Sequence, residues 1–194
     1  MLKMTAAGCA AMLALVPVSA NAQDQDGPIA TANRASETRE ALRVREAIAY
    51  ANPMPRGAPT QDYPLVAWCD AIVTGHADVG DTLSARVPED AELVRLGRLE
   101  AQDFRSALAA AEPRQTTETK QAAAQAVAAA QGQWAPILAN EDEAVRSQAF
   151  GLFFGLPGRC EHAARRIREN ITTPPATPDD VGLEDEAPAD ASRP

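Results

Sequence analysis

The chain has 194 residues, 23% of them charged and 4% aromatic, and its excess of acid sets the formal charge at −9. That length suits one domain with a tail, and the acidic balance gives no general attraction to phosphate backbones or anionic lipid. After the first twenty residues no apolar run approaches the length that crosses a bilayer, so neither a nucleic-acid partner nor a membrane anchor in the mature chain is expected.

Residues 1–22 read as a secretory signal. Lys3 supplies the positive start, residues 6–18 (AAGCAAMLALVPV) form an apolar core too short for a span, and Ala20-Asn21-Ala22 places small residues where signal peptidase reads. Cleavage after Ala22 leaves Gln23 as the expected N-terminus. Cys9 precedes most of the apolar stretch, whereas a lipid-attachment cysteine follows it. Sixteen arginines against two lysines, with abundant alanine, suggest high-GC bacterial coding. Together with the signal, this points to the periplasm or beyond, an oxidising compartment.

Residues 23–35 are polar and broken by Gly27-Pro28, as in a flexible arm; the helical domain is expected over residues 36–172. Ser36 followed by Glu37 and Glu40 resembles an N-cap with an acidic first turn, and Leu42, Val44, Ile48 and Ala49 then share one side of a first helix. Pro53, Pro55 and Gly57-Ala58-Pro59 end it. The second helix has the strongest period: Asp62 as cap, Pro64 in the first turn, then Leu65, Trp68/Cys69, Ile72/Val73, His76, Val79 and Leu83. Gly75 and Gly80 each cost about 1 kcal/mol against alanine there, so the helix shortens or another backbone comes close.

A third helix opens at Pro88, with Leu93, Leu96, Leu99/Glu100, Phe104, Leu108 and Ala111 as its buried stripe and Pro113 as its stop. A fourth spans about Thr117 to Gln131, rich in alanine, with Trp134, Ile137 and Leu138 beyond Gly132. The fifth covers about Glu141 to Phe154 and the sixth about Pro157 to Asn170. No segment alternates as a strand does. Leu96-Gly97 and Phe150-Gly151 are too far apart for a 34-residue helical repeat. From Pro174 onward there are five prolines, six acids and no aromatic residue, a composition that cannot bury enough apolar surface to order itself. The sequence therefore predicts an all-α protein: a single bundle of five to six helices, with a disordered acidic, proline-rich tail over 173–194.

Cys69 and Cys160 lie on apolar helical faces, and an even pair in an oxidising compartment predicts a disulfide between them. Metal and haem are not expected. Cys69 and His76 stand about 10.5 Å apart along one helix, Cys160 and His162 point to different sides, and no C-x-x-C-H occurs. Asp70, His76 and Asp78 raise a hydrolytic alternative. However, Asp70 and His76 are six residues apart and do not meet on one helix, and neither G-x-S-x-G nor H-E-x-x-H is present. No catalytic residue and no cofactor is assigned.

The segment AFGLFFGLPG concentrates Phe150, Phe153 and Phe154 around Gly151 and Gly155. It forms either a core plug or an aromatic groove for a partner peptide or small apolar ligand. Beside it, Arg159, Arg165, Arg166 and Arg168 form the basic cluster of an acidic protein. At helical spacing Arg159, His162, Arg166 and Glu169 make a stripe expected to face solvent. The expected function is an exported structural or protein-interaction module without catalytic activity. Its candidate surface is Phe150, Phe153, Phe154, Arg159, His162 and Arg166. The alternatives are a binder of a small apolar or anionic ligand, and a hydrolase using Asp70 and His76.

Overall fold

The computed structural model describes residues 37–84 and 87–183. Residues 1–36, which hold the expected signal segment, the expected N-terminal arm and Ser36, lie outside the described residues. Within them are six α-helices and no strand: α1 (Arg39–Ala51), α2 (Asp62–Asp81), α3 (Pro88–Ala111), α4 (Thr117–Leu138), α5 (Glu143–Gly151) and α6 (Arg159–Arg168). Side-chain caps set three of the starts. Thr38 accepts the Ala41 N–H at 3.1 Å, Thr116 that of Thr119 at 3.2 Å, and Asp142 that of Ala144 at 2.9 Å. At the far end, Asn170 takes φ 55°, and the Ile171 N–H reaches back to the Arg166 carbonyl at 2.9 Å. That is the six-to-one closure that satisfies the last turn of a helix.

Helix α2 is the axis of the molecule. Fourteen of its twenty residues are buried, as expected of a helix surrounded on every side. Helix α3 runs along one flank of α2 and α4 along another, each packing against α2 far more than against its sibling; α5 and α6 cover other faces. Exposed ion pairs of Arg105 with Asp70 and of Arg98 with Asp78 and Asp81 bridge α2 and α3, and their order along the two helices shows the pair to be antiparallel. The Cys69–Cys160 disulfide forms as expected, joining α2 to α6 with a Cα–Cα distance of 6.1 Å.

The contact faces differ from the predicted stripes in an instructive way. Helix α3 buries Val94, Gly97, Ala101, Phe104, Ala107 and Ala111, while Leu93 and Leu99 are 40% and 50% exposed. Small side chains let α3 lie close on α2, and that register turns two of the leucines outward. Helix α4 uses the same device with Ala123, Ala126 and Ala130. It also continues through Gly132 to Leu138 with Pro136 inside it. A proline ring crowds the carbonyl four residues back. Here that residue is Gly132, whose lack of a side chain leaves the backbone room to yield. In α1 the buried residues are Glu46, Ala47 and Ala49, and Ile48 faces outward.

Helix α2 keeps its full length because its glycines receive side chains rather than another backbone. A β-carbon at Gly75 would fall inside the Trp134 indole, and one at Gly80 would overlap Val94 and Phe150. Residues 173–183, inside the stretch expected to be disordered, include a 3-10 turn at Asp179–Val181 that packs on α1. Residues 184–194 lie outside the described residues.

Candidate functional site

The three phenylalanines of the α5–α6 region have three different fates. Phe150 is buried, its ring stacked on His76 with centroids 4.3 Å apart and planes 4° from parallel. Phe153 is half-buried and stacks on the same imidazole, also at 4.3 Å, while its edge meets Trp134 at 6.0 Å. His76 is thus held between two aromatic rings, and its Nε2 bonds the Phe150 carbonyl at 3.1 Å. As the acceptor is a carbonyl, Nε2 carries the hydrogen. Burial holds the imidazole below its usual pKa, against the opposing pull of that hydrogen bond. Phe150 and Phe153 are therefore core, and they anchor the chain segment that follows.

Phe154 is the opposite case. It is 93% exposed, more than any other large apolar side chain of the described residues, with Leu152 next at 60%. Gly155 follows at φ 97°, a left-handed conformation that side chains resist, and turns the chain into Leu156 and Pro157. An apolar groove of about 520 Å³ opens beside this turn, lined by Pro53, Met54 and Pro55 from the α1–α2 loop and by Gly155, Leu156 and Pro157. Arg56 adjoins one wall in sequence and is exposed; Arg159 follows the other.

The basic cluster does not form the predicted solvent-facing stripe. His162 is 2% exposed and Arg166 is 5% exposed. Helix α6 presents both to α1 and α2, where charge is matched inside the molecule. Arg166 donates from Nη1 to Glu46 at 3.2 Å, from Nε to Asp62 at 3.0 Å, and from Nη2 to the Thr173 carbonyl. Burial works against its charge, and the bonds to Asp62 and Glu46 more than offset it, so its pKa is raised. Tyr50 donates to the other oxygen of Asp62 at 2.7 Å. Arg159 lies over the Tyr50 ring at 4.3 Å and donates to the Thr60 carbonyl at 3.1 Å. Arg165 completes the set with a 3.1 Å bond to Glu46. Burial holds the His162 imidazole below its usual pKa, and its Nδ1 has no hydrogen-bond partner among the described residues.

Of the six expected surface residues, then, only Phe154 stands fully in solvent, with Arg159 partly exposed beside the groove. The network of Glu46 and Tyr50 from α1, Asp62 from α2 and Arg166 from α6 escaped sequence reading. Its one signal is Glu46 beside Ala47 and Ala49, a carboxylate on the apolar side of α1. The hydrolytic pair is not assembled: Asp70 bonds Thr74 at 3.2 Å and Arg105 at 3.1 Å, while His76 is enclosed by aromatic rings. Among the described residues no group of three His, Cys, Asp or Glu side chains is placed to hold a metal ion, and no helix is long and apolar enough to cross a membrane. No family model, no curated protein and no solved structure matches this chain.

Proposed function

We propose that the protein is an exported, non-catalytic interaction module that docks a partner protein through the loop between α5 and α6. The observation that carries this reading is the display of Phe154. A fully exposed phenylalanine loses the transfer free energy of burial, about 1.5–3 kcal/mol. Here it is held out by a segment anchored on both sides: Phe150 and Phe153 against His76 before it, and the Gly155 turn and Leu156-Pro157 after it. A pre-positioned aromatic knob beside an apolar groove is the arrangement that concentrates binding energy at an interface. Arg56 and Arg159, which directly follow the groove-lining residues Pro55 and Gly158 in the chain, are basic although the chain is acidic overall. The partner suited to this face offers an apolar pocket rimmed by carboxylates. The disulfide between Cys69 and Cys160 supports export to an oxidising compartment.

A photo-crosslinking residue at position 154, compared with one at exposed Gln125 on α4, tests the reading in the cells that make the protein. The expected result is one defined partner captured at 154 and not at 125. With the pair purified, Phe154→Asp abolishes binding and rising salt weakens it. Equal, diffuse labelling at both positions overturns the proposal, and self-capture at 154 would make the partner a second copy of this chain.

A further inference from the structure

A second site lies away from Phe154. Because α3 and α4 lean on α2 rather than on each other, a groove remains along α2 between them, of about 440 Å³. Its floor is one face of α2: Asp70, Thr74, Gly75 and Asp78. Arg105 of α3 forms one rim, and Trp134 and Leu138 belong to the opposite wall.

Two charges in this groove are only partly used. Arg105 donates from Nε to Asp70 and from Nη2 to Thr74 at 2.8 Å, but its Nη1 makes no hydrogen bond among the described residues. Asp78 meets Arg98 through Oδ1 at 2.7 Å, and Arg98 is shared with Asp81. The Oδ2 of Asp78 has no bond among the described residues. Both side chains are substantially exposed, at 54% for Arg105 and 43% for Asp78. In the opposite wall, the Trp134 indole is nine-tenths buried, and its Nε1 has no hydrogen-bond partner among the described residues.

We propose that this groove binds a short zwitterionic ligand with an apolar body, namely a dipeptide with apolar side chains. Arg105 is tied to Thr74, and Asp78 lies four residues, one helical turn, further along α2. That places the unspent guanidinium and carboxylate about 6 Å apart along the axis. An extended dipeptide spans about 7 Å between its ends. Its carboxylate meets the outer edge of Arg105 and its ammonium meets Asp78, with the side chains against Trp134 and Leu138. A lone anion would face the carboxylates of Asp70 and Asp78, and a lone cation would face Arg105. A ligand carrying both charges offsets each repulsion with an attraction at its other end.

Titration of the full mature chain with Leu-Leu, followed by the indole N–H resonances of Trp68 and Trp134, tests this. Trp134→Phe identifies which resonance is which. Leu-Leu is expected to shift the Trp134 resonance saturably and to leave that of buried Trp68 in place. Blocking the peptide's amine or its carboxylate should weaken binding at least tenfold. Asp78→Asn should abolish the penalty for blocking the amine, and Arg105→Gln the penalty for blocking the carboxylate. Both residues are exposed, so these variants keep the fold. No shift at millimolar Leu-Leu overturns the proposal, as does equal binding of the doubly blocked peptide. Phe154→Asp leaves the titration unchanged, which keeps this site distinct from the loop.

Discussion

Phe154 and Gly155 are neighbours in the chain but make opposite predictions. Phe154 touches almost nothing, so Phe154→Ser should leave the unfolding free energy from a urea melt within about 0.5 kcal/mol of the parent. Gly155→Ala forces a β-carbon into a left-handed backbone at φ 97° and should cost about 1–2 kcal/mol. That variant should also lose partner capture at position 154, because the knob no longer points where the loop held it. A Gly155→Ala protein as stable as the parent would show that the turn relaxes freely. Arg166 differs again. It is buried between Glu46 and Asp62, and Arg166→Met leaves both carboxylates without their shared cation. Removing one partner of a buried ionic set costs about 3 kcal/mol, toward the lower end of such losses because Arg165 still reaches Glu46 and Tyr50 still reaches Asp62. Adding Glu46→Gln to Arg166→Met should recover part of the loss in a urea melt, and a deeper loss in the double variant would refute the network reading.

At the level of elements, the disulfide is the clearest determinant. Cys69 and Cys160 are 91 residues apart, and closing a loop of that length limits the unfolded chain by about 4.6 kcal/mol in the chain-entropy model. Cys69→Ser with Cys160→Ser should therefore melt earlier by no more than that amount while its circular dichroism stays helical; collapse to a coil would mean that the bridge holds the fold rather than tightening it. The helices and this bridge were legible in the sequence because periodicity and cysteine parity are local or compositional signals. The buried faces were less so. In α3 the reading followed Leu93, Leu96 and Leu99, the bulkiest apolar side chains, whereas the interface uses Gly97 and Ala101 for close approach. Hydrophobicity ranks a leucine above a glycine, but interaxial distance can reverse that order. The α6 stripe failed for a related reason. Arginine and histidine at helical spacing read as solvated unless the matching carboxylates are known to be opposite, and Glu46 and Asp62 lie more than a hundred residues away. Phe154 could not be separated from Phe150 and Phe153 because the turn at Gly155, not composition, decides which ring leaves the core.

For the whole molecule, the two histidines govern its response to acid. Both are buried and both are held below the usual value, chiefly by burial. His76 is surrounded by the rings of Phe150, Phe153 and Trp134. His162 is faced by Glu161 and Glu46, which favour its charge, and by Arg45 and Arg165, which oppose it. Well above pH 6.5 the imidazoles are uncharged in the folded and unfolded chains alike, and they contribute no pH dependence. Once the pH falls below about 6.5, the unfolded chain takes up protons first, so stability drops by up to about 1.4 kcal/mol per pH unit for each histidine. The drop ends when the depressed folded values are reached. Glu100 acts in the other sense. Burial, with help from Glu161 and Asp103, raises its carboxyl above the usual range, so protonation there relieves the folded state. Urea unfolding at neutral pH and about one unit below 6.5 should show the midpoint fall with acid. His162→Gln, neutral at every pH, should remove about half of that fall whatever it does to the absolute stability. A midpoint flat across this window would mean that both imidazoles already find compensation for their charge inside the fold.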